Sequence, residues 1–281
     1  MDQFLLRCAA GALIAYLACR AGALSKDGAI AAGILGTVVF SLGGVAWALI
    51  LLTFFITASG LSRFMKSRKA ILDADFAKGS RRDAGQVMAN GAVAGILALA
   101  FFFTSRFQPE SRWLLFLWVG FAASFAAANA DTWATELGVL NPRQPVLLTT
   151  FKRVPRGSSG AVSLTGSLAA LAGSALVAGV AALTALAGWA PAGEPALIWQ
   201  FTIITLAGWV GAFVDSLLGA TVQAVYYCPT CDKETERHPE HVCGTATTLK
   251  RGTAWLNNDW VNAACTVSGA LVGAALAALI W

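Results

Sequence analysis

The sequence predicts an all-α, polytopic membrane protein with about eight transmembrane helices, and its composition supports that prediction. Hydrophobic residues make up 57% of the chain and charged residues only 12%. That charged share is about half of the share in soluble proteins. Several apolar runs approach or exceed the roughly 20 residues that cross a bilayer as a helix. We therefore expect residues 1–281 to form a single integral membrane domain with seven to nine spans.

The apolar runs and the breaks between them place each helix. In chain order, we predict helices at about 4–23, 28–44, 45–62, 83–104, 112–135, 160–188, 197–224 and 256–280. Gly43 and Gly44 separate the second helix from the third, and Pro191 and Pro195 follow the sixth. The first run lacks a clear cleavage site. We interpret it as a retained helix, with a signal-like anchor as the alternative.

The basic residues are distributed unevenly between the two ends of the predicted helices. Lys26 and the loops 63–82, 136–159 and 225–255 carry 16 of them, whereas the opposite loops carry only two. Lys and Arg are enriched in cytoplasmic loops, so the rich end should face the cytoplasm, at the inner membrane. Solubility or anionic lipid alone would give the same bias, which therefore indicates sidedness and not function. The net charge of +5 therefore does not indicate a nucleic-acid partner.

Four acidic residues lie in or near the ends of predicted helices. Asp131 and Glu136 belong to the fifth helix, Asp215 to the seventh and Asp259 to the eighth. Carboxylates inside membrane helices are unfavourable unless they face a partner or a water-filled cavity. A hydrogen-bond network between helices is the alternative to such a cavity. Because oxygen ligands suit Mg²⁺, we predict that Asp131 and Asp215 bind Mg²⁺ and that Glu136 and Asp259 complete the catalytic set.

Amide side chains accompany these acids at the same end of the predicted bundle. Arg82, Gln86 and Asn90 are spaced four apart and form one stripe at the start of the fourth helix. Asn258 and Asn262 form a similar stripe on the eighth helix. Stripes from several helices at one membrane face favour a single polar site. The predicted amide contributors to phosphate binding are Asn90, Asn129, Asn258 and Asn262.

Basic residues and a Gly/Ser turn near this site are typical of phosphate binding. The turn 156–160 should offer backbone N–H groups at the start of the sixth helix, and residues 78–80 form a second candidate turn. Neither turn is a Walker A motif, because no GxxxxGK[ST] pattern occurs. The predicted phosphate-binding residues of the loops are Arg81, Arg82, Lys152, Arg153, Arg156, Gly157, Ser158 and Ser159.

The loop 225–255 carries a cluster of cysteine and histidine. Cys228 and Cys231 have Cys-x₂-Cys spacing, and Cys243 follows with either His241 or His238. Such spacing is typical of structural zinc sites, and a reducing cytoplasm favours metal over a disulfide. The alternative is a polar loop with free cysteines.

Five motifs resemble one known family across nearly the whole chain. They are DADFAKGSRRDAGQVMANG, ANADTWATELG, TTFKRVPRGSSGAVSLTG, GAFVDSLLGATVQ and LNNDWVN, in this order. The sequence resembles the DUF92 integral membrane proteins, which include the plant phytyl-phosphate kinase and the animal transmembrane protein 19. The resemblance implies a polytopic helical fold and an NTP-dependent kinase of isoprenoid phosphates. By residue type and motif, the resemblance also implies that the polar site is formed by Asp131, Glu136, Asp215, Asn258, Asp259 and Asn262.

Three functions fit these features. The first is transfer of a phosphoryl group from a nucleoside triphosphate, with CTP preferred, to an isoprenoid monophosphate, with Mg²⁺ as cofactor. Such transfer needs mainly positioning and charge neutralisation. The second is an ion- or proton-coupled transporter, in which Asp131-Thr132 and Asp215-Ser216 belong to two halves of a repeat. The third is a lipid-phosphate cytidylyltransferase. The sequence leaves open whether the chain forms a homo-oligomer.

Overall fold

Eight α-helices dominate the part of the chain that the computed structural model describes, residues 2–69, 79, 81–190 and 197–280. Their bounds are α1 Asp2–Arg20, α2 Lys26–Val38, α3 Val45–Lys69, α4 Ala84–Phe107, α5 Trp113–Gly138, α6 Leu164–Leu186, α7 Leu197–Thr221 and α8 Asn258–Ile280. A π-helical turn, Val39–Gly43, continues α2, and Gly44 at φ +87° breaks the chain before α3. This break confirms the boundary predicted at Gly43 and Gly44.

Seven helices of the described chain are long and apolar enough to cross a membrane, namely α3 to α8 and α2 with its π-helical turn. The protein is therefore a polytopic helical membrane protein, as predicted. Helix α1 packs against α2 and the π-helical turn. Arg7 of α1 donates from Nη1 to the Ser41 carbonyl oxygen at 3.4 Å, which gives this charge a partner inside the turn.

Helix α5 is the centre of the bundle, and all residues from 121 to 130 are buried. It contacts α3, α4, α6, α7 and α8. Its many alanines permit this close packing, because small residues let the backbones of membrane helices approach one another. A Cβ on Gly269 of α8 would lie only 2.8 Å from the Ala123 carbonyl oxygen. The glycine on α8 is thus required by the alanine-rich face of α5.

Short antiparallel strands that the sequence did not predict lie between α5 and α6 and between α7 and α8. Strands β1 Val146–Leu147 and β2 Ala161–Val162 pair between α5 and α6. Strands β3 Val225–Cys228, β4 Lys233–Thr235 and β5 Thr248–Arg251 form a sheet in the order β4-β3-β5 between α7 and α8. These strands have two to four residues, too few for an alternating pattern to stand out from the surrounding polar sequence.

Two predicted boundaries near the functional end were wrong. Helix α3 does not end at 62 but continues to Lys69, because its Arg and Lys residues favour helix even outside the apolar span. Helix α6 does not begin at 160. Gly160 has φ +78°, and Ser163 caps the helix by accepting a hydrogen bond from the Gly166 N–H at 3.1 Å. The Gly/Ser turn is therefore separated from the helix that was expected to follow it directly.

Candidate functional site

A polar pocket of about 320 Å³ lies at the end of the bundle where α4 and α8 begin and α5 and α7 end. The loops 136–159 and 225–255 reach it, as does Arg82 from the loop before α4. Three of the predicted cytoplasmic loops therefore meet at one end of the molecule. The predicted site residues that line the polar pocket are Arg82, Asn90, Asp131, Glu136, Arg156, Gly157, Ser158, Ser159, Asp215, Asn258, Asp259 and Asn262.

The four predicted carboxylates come from three helices and share this pocket. Asp131 of α5 and Asp215 of α7 lie close enough for their charges to interact. Oδ2 of Asp215 is buried and accepts no hydrogen bond within the described residues. Glu136 is 7% exposed, and its Oε1 accepts a 2.7 Å hydrogen bond from the Ser62 hydroxyl. Carboxyl groups gathered in this way favour the binding of a cation.

The first turn of α8 presents its polar side chains to the pocket because a different residue caps the helix. Oδ1 of Asn257 accepts hydrogen bonds from the N–H groups of Asp259 at 3.0 Å and Trp260 at 3.3 Å. Such capping satisfies the first N–H groups of a helix. The side chains of Asn258, Asp259 and Asn262 are therefore not needed for this cap, and all three line the polar pocket.

Helix α4 begins in the same way, with Asp83 as its cap. Asp83 and Gln86 form a reciprocal capping box, with distances of 2.9 and 3.2 Å. Arg82 precedes the helix, and its guanidinium lies 5.1 Å from the centre of the Phe54 ring. Burial lowers the pKa of Arg82 to about 10, although the nearby Glu136 charge raises it. Arg82 therefore remains a cation at neutral pH, at the wall of the pocket.

The Gly/Ser turn 156–160 lines the pocket but is held by α7 and not by a helix N-terminus. The Ser159 hydroxyl donates to Oε1 of Gln223 at 2.8 Å. A Cβ on Gly160 would overlap the backbone of Ala220, so this close approach requires glycine. Arg156 donates from Nη2 to the carbonyl oxygens of Asn141 at 2.7 Å and Pro142 at 3.2 Å, which fixes the turn beside the end of α5.

Four predicted phosphate-binding residues do not line the pocket. Arg81 donates from Nε to the Leu24 carbonyl oxygen at 3.0 Å. Lys152 and Arg153 are exposed on the loop between α5 and α6. Asn129 is fully buried one turn below the pocket, where Nδ2 donates to the Gly173 carbonyl oxygen at 2.8 Å. At Asn129 the alternative interpretation, a hydrogen bond between helices, is the one that the structure supports.

The three-stranded sheet brings to the pocket end two residues that sequence reasoning missed, and one of them, Glu236, lines the pocket. Glu236, just after β4, lines the pocket and accepts at Oε1 a 2.9 Å hydrogen bond from Nε2 of the buried Gln223. Arg251 at the end of β5 donates to the carbonyl oxygens of Gly219 at 2.7 Å and Ser159 at 3.1 Å. In the sequence, Glu236 is one acidic residue in a polar loop, and nothing there indicates a place in the pocket. It reaches the membrane helices only because the sheet folds.

An apolar cavity of about 200 Å³ adjoins the polar pocket. It lies between α1, α2, α3 and α4, and side chains such as Leu35 and Phe55 line it. Three residues, Arg82, Gln86 and Asn90, line both spaces. The stripe predicted on α4 therefore forms the boundary between a charged pocket and an apolar one.

The Cys/His cluster also comes together. The candidate ligand atoms of Cys228, Cys231, His241 and Cys243 all lie within 4.8 Å of one another. The alternative ligand, His238, is placed elsewhere, because its ring stacks on Tyr226 with centroids 4.4 Å apart. The geometry thus selects His241 from the two histidines that the spacing allowed.

Comparison with known proteins gives one family. A model described as integral membrane protein DUF92 matches residues 9–270. Protein PGR of Arabidopsis thaliana is 33% identical over 229 residues, which are 79% of this chain and 79% of that protein. An uncharacterized membrane protein of Methanocaldococcus jannaschii is 27% identical over 261 residues, 93% of this chain and 89% of the relative.

A third relative is the chloroplastic protein VTE6 of Arabidopsis thaliana. It is 29% identical over 250 residues, which are 89% of this chain and 64% of that protein. No solved structure matches the chain. The matched residues 9–270 include all five motifs that carried the resemblance, and those motifs supply most of the polar pocket. The chain belongs to the DUF92 family of integral membrane proteins.

Proposed function

We propose that this protein transfers a phosphoryl group from a nucleoside triphosphate to an isoprenoid monophosphate, giving the diphosphate. One observation carries the proposal: the polar pocket and the apolar cavity share the wall formed by Arg82, Gln86 and Asn90. A lipid with a phosphate head group fits this pair of spaces. Its hydrocarbon tail would be buried in the apolar cavity, and its phosphate would bind basic groups in the polar pocket. The resemblance to phytyl-phosphate kinase supports the same substrate class.

Mg²⁺ fits the carboxylates of the pocket. The donors are oxygens only, which Mg²⁺ prefers, and Oδ2 of Asp215 is buried without a hydrogen bond from the described chain. Asp131 and Asp215 would hold the ion, with Asp259 as a third ligand. Bound there, Mg²⁺ would neutralise the negative charge of triphosphate oxygens. Without a cation, the four acids would repel a triphosphate.

The basic wall of the pocket supports binding of the acceptor phosphate. Arg82 stays charged and lies where the apolar cavity meets the pocket. A guanidinium can donate two parallel hydrogen bonds to one phosphate group. The amides of Gln86 and Asn90 continue the same wall and can donate as well. An acceptor phosphate at Arg82 would direct its tail into the apolar cavity and its oxygens toward the acids.

In this proposal the Gly/Ser turn, which also lines the polar pocket, would bind the nucleotide. Ser158 and Ser159 carry hydroxyl groups, and Gly157 has no side chain to obstruct a ligand that approaches its backbone. Arg156, at the start of this turn, adds positive charge. The donor phosphates would then face the acceptor across the acids of α5 and α7.

The reaction class requires little of the protein beyond these placements. A phosphate monoester already carries an ionised oxygen near neutral pH, since its second pKa is about 6. The attacking atom thus needs no general base, and catalysis can rest on alignment and charge neutralisation. A pocket with acids, basic groups and hydroxyls but no activated nucleophile is consistent with this chemistry. We assign CTP as the preferred donor on the resemblance alone.

The test uses purified protein with Mg²⁺ and a panel of phytyl, geranylgeranyl and farnesyl monophosphates. CTP and ATP are supplied with label on either the α- or the γ-phosphate. We expect γ-label in a lipid diphosphate. A lipid that carries α-label instead would identify a cytidylyltransferase. A panel that gives no labelled lipid with either nucleotide would contradict both enzyme activities.

A further inference from the structure

The Cys/His cluster of the loop between α7 and α8 has the dimensions of a four-coordinate metal site. The Sγ atoms of Cys228 and Cys243 are 3.5 Å apart. Nδ1 of His241 lies 3.5 Å from Sγ of Cys231 and 3.4 Å from Sγ of Cys243. A tetrahedral zinc with bonds of about 2.3 Å to sulfur and about 2.0 Å to nitrogen separates its ligands by about 3.5–3.8 Å. These three separations need little adjustment to accept the ion, and all four ligand atoms lie within 4.8 Å of one another.

The donor set selects the kind of metal. Three thiols and one imidazole are soft and borderline ligands, which suit Zn²⁺ and exclude Mg²⁺. A disulfide between Cys228 and Cys243 is the competing chemistry, yet their sulfurs are 3.5 Å apart and not bonded. Such a bond would also leave Cys231 and His241 side by side without a role.

The elements around the cluster show what the metal would stabilise. Cys228 ends β3, Cys231 lies in the turn before β4, and His241 and Cys243 lie in the connection from β4 to β5. A sheet with strands of three or four residues has little core of its own and needs a cross-link or a metal. One ion bound to these ligands would join the end of β3 to both connections of the sheet.

The same sheet closes the polar pocket. Glu236 follows β4 and bonds Gln223, while Arg251 ends β5 and bonds the carbonyl oxygen of Ser159. Through these contacts, the sheet sets the position of the Gly/Ser turn. We propose that Cys228, Cys231, His241 and Cys243 bind one structural Zn²⁺, which holds the three-stranded sheet against the polar pocket.

Metal content tests the site directly. The affinity tag is removed, the protein is purified without chelator, and its metals are measured by elemental analysis. We expect about one zinc per chain, and a decrease of at least about tenfold in Cys231→Ser and in Cys243→Ser. Cys19→Ser, at a cysteine of α1 far from the cluster in sequence, is the matched control and should keep its zinc. Wild-type protein with no zinc, or with iron in its place, would overturn the assignment.

Spectroscopy gives a second measurement that does not depend on the folding of a variant. The wild-type protein is stripped of metal and loaded with Co²⁺. We expect the visible absorption of a tetrahedral cobalt–thiolate centre, and its loss on addition of equimolar Zn²⁺. Cobalt that shows only the weak bands of an octahedral, oxygen-ligated ion would contradict the thiolate site.

Digestion with a protease tests whether the metal stabilises the three-stranded sheet. Trypsin is added to wild-type protein with its metal and after treatment with a chelator, and cleavage at Lys233 and Arg237 is followed by mass spectrometry. We expect cleavage to increase at least about tenfold when the metal is removed. Unchanged cleavage would overturn the proposal that the metal stabilises the sheet. None of these three tests uses turnover, so failure of the kinase proposal and failure of the zinc proposal are distinguishable.

Discussion

At the scale of single residues, Asp131 and Asp215 carry the most specific expectation. We predict that Asp131→Asn and Asp215→Asn lower turnover at limiting Mg²⁺ by more than about 100-fold. Asparagine keeps the size of the side chain but removes the charge that a metal ligand needs. Thermal unfolding should change little, because a carboxylate within a membrane helix is itself unfavourable. The assay is a Mg²⁺ titration of product formation. Near-wild-type transfer by both variants would place the metal elsewhere.

Arg82 and Arg153 provide a matched pair for the phosphate-binding wall. Arg82→Ala should raise the KM for the lipid monophosphate about 10- to 100-fold, since a hydrogen bond to a charged group contributes about 1.5–3 kcal/mol. Arg153→Ala should leave that KM unchanged, because Arg153 is exposed and does not line the pocket. Steady-state kinetics with varied lipid at saturating nucleotide measures both. Equal effects of the two substitutions would contradict the placement of the acceptor at Arg82.

Residue type alone identified the acids that line the polar pocket, but it did not separate the neighbouring polar residues that line the pocket from those that do not. Asp131, Asp215 and Asp259 were predictable because carboxylates are rare in apolar helices and need a reason to be there. Asn129 has a similar setting in the sequence, yet it bonds the backbone of Gly173. Helical spacing gives the direction of a side chain around its own helix but not what the neighbouring helix places there. Arg153 and Arg156 are likewise close in sequence and only Arg156 reaches the pocket.

At the scale of helices, the packing around α5 gives a prediction of unusual sign. Glycine in a helix is normally less stable than alanine by up to about 1 kcal/mol. Gly269→Ala should instead destabilise the protein by about 1–3 kcal/mol, because the new Cβ would lie 2.7 Å from the Cβ of Ala127. The matched control is Gly179→Ala in α6, where a Cβ meets nothing within 4 Å. Thermal unfolding in detergent should move down for the first variant and stay or rise for the second.

The strands show why some elements escaped prediction. Helices are long, so the apolar runs located α3 to α8 even where their ends were a few residues off. The sheet β4-β3-β5 depends on pairing between residues far apart in a polar loop, and each strand alone is too short to recognise. Glu236 and Arg251 reach the functional end only through that pairing, so they could not be found before the sheet was seen.

At the scale of the whole molecule, the position of the pocket makes a prediction about sidedness. The loops 136–159 and 225–255 lie at the pocket end, while the loop between α4 and α5 lies at the opposite end. The exposed Gln144 and Gln108 mark these two ends. In intact cells, an impermeant maleimide should label Gln108→Cys and not Gln144→Cys, measured against the parent chain with its native cysteines. Labelling of Gln144→Cys from outside would place the pocket on the external face.

The order and number of helices were predictable for a reason that does not extend to the cavities. Crossing a bilayer demands a long apolar segment whatever the helices pack against, so the demand is visible in one dimension. An apolar cavity between α1 and α4 is lined by the same side chains that would face lipid. Leu35 and Phe55 give no sign in the sequence that they border a space and not the bilayer.

The wall shared by the polar pocket and the apolar cavity determines which concentration of the lipid substrate the protein would respond to. A lipid that enters with its tail among α1, α2 and α3 would arrive by diffusion within the plane of the membrane, not from the aqueous phase. Its effective concentration is then its number per unit of membrane area. Added inert lipid would slow the protein by thinning the substrate on that surface, even though the amount of substrate in the tube is unchanged.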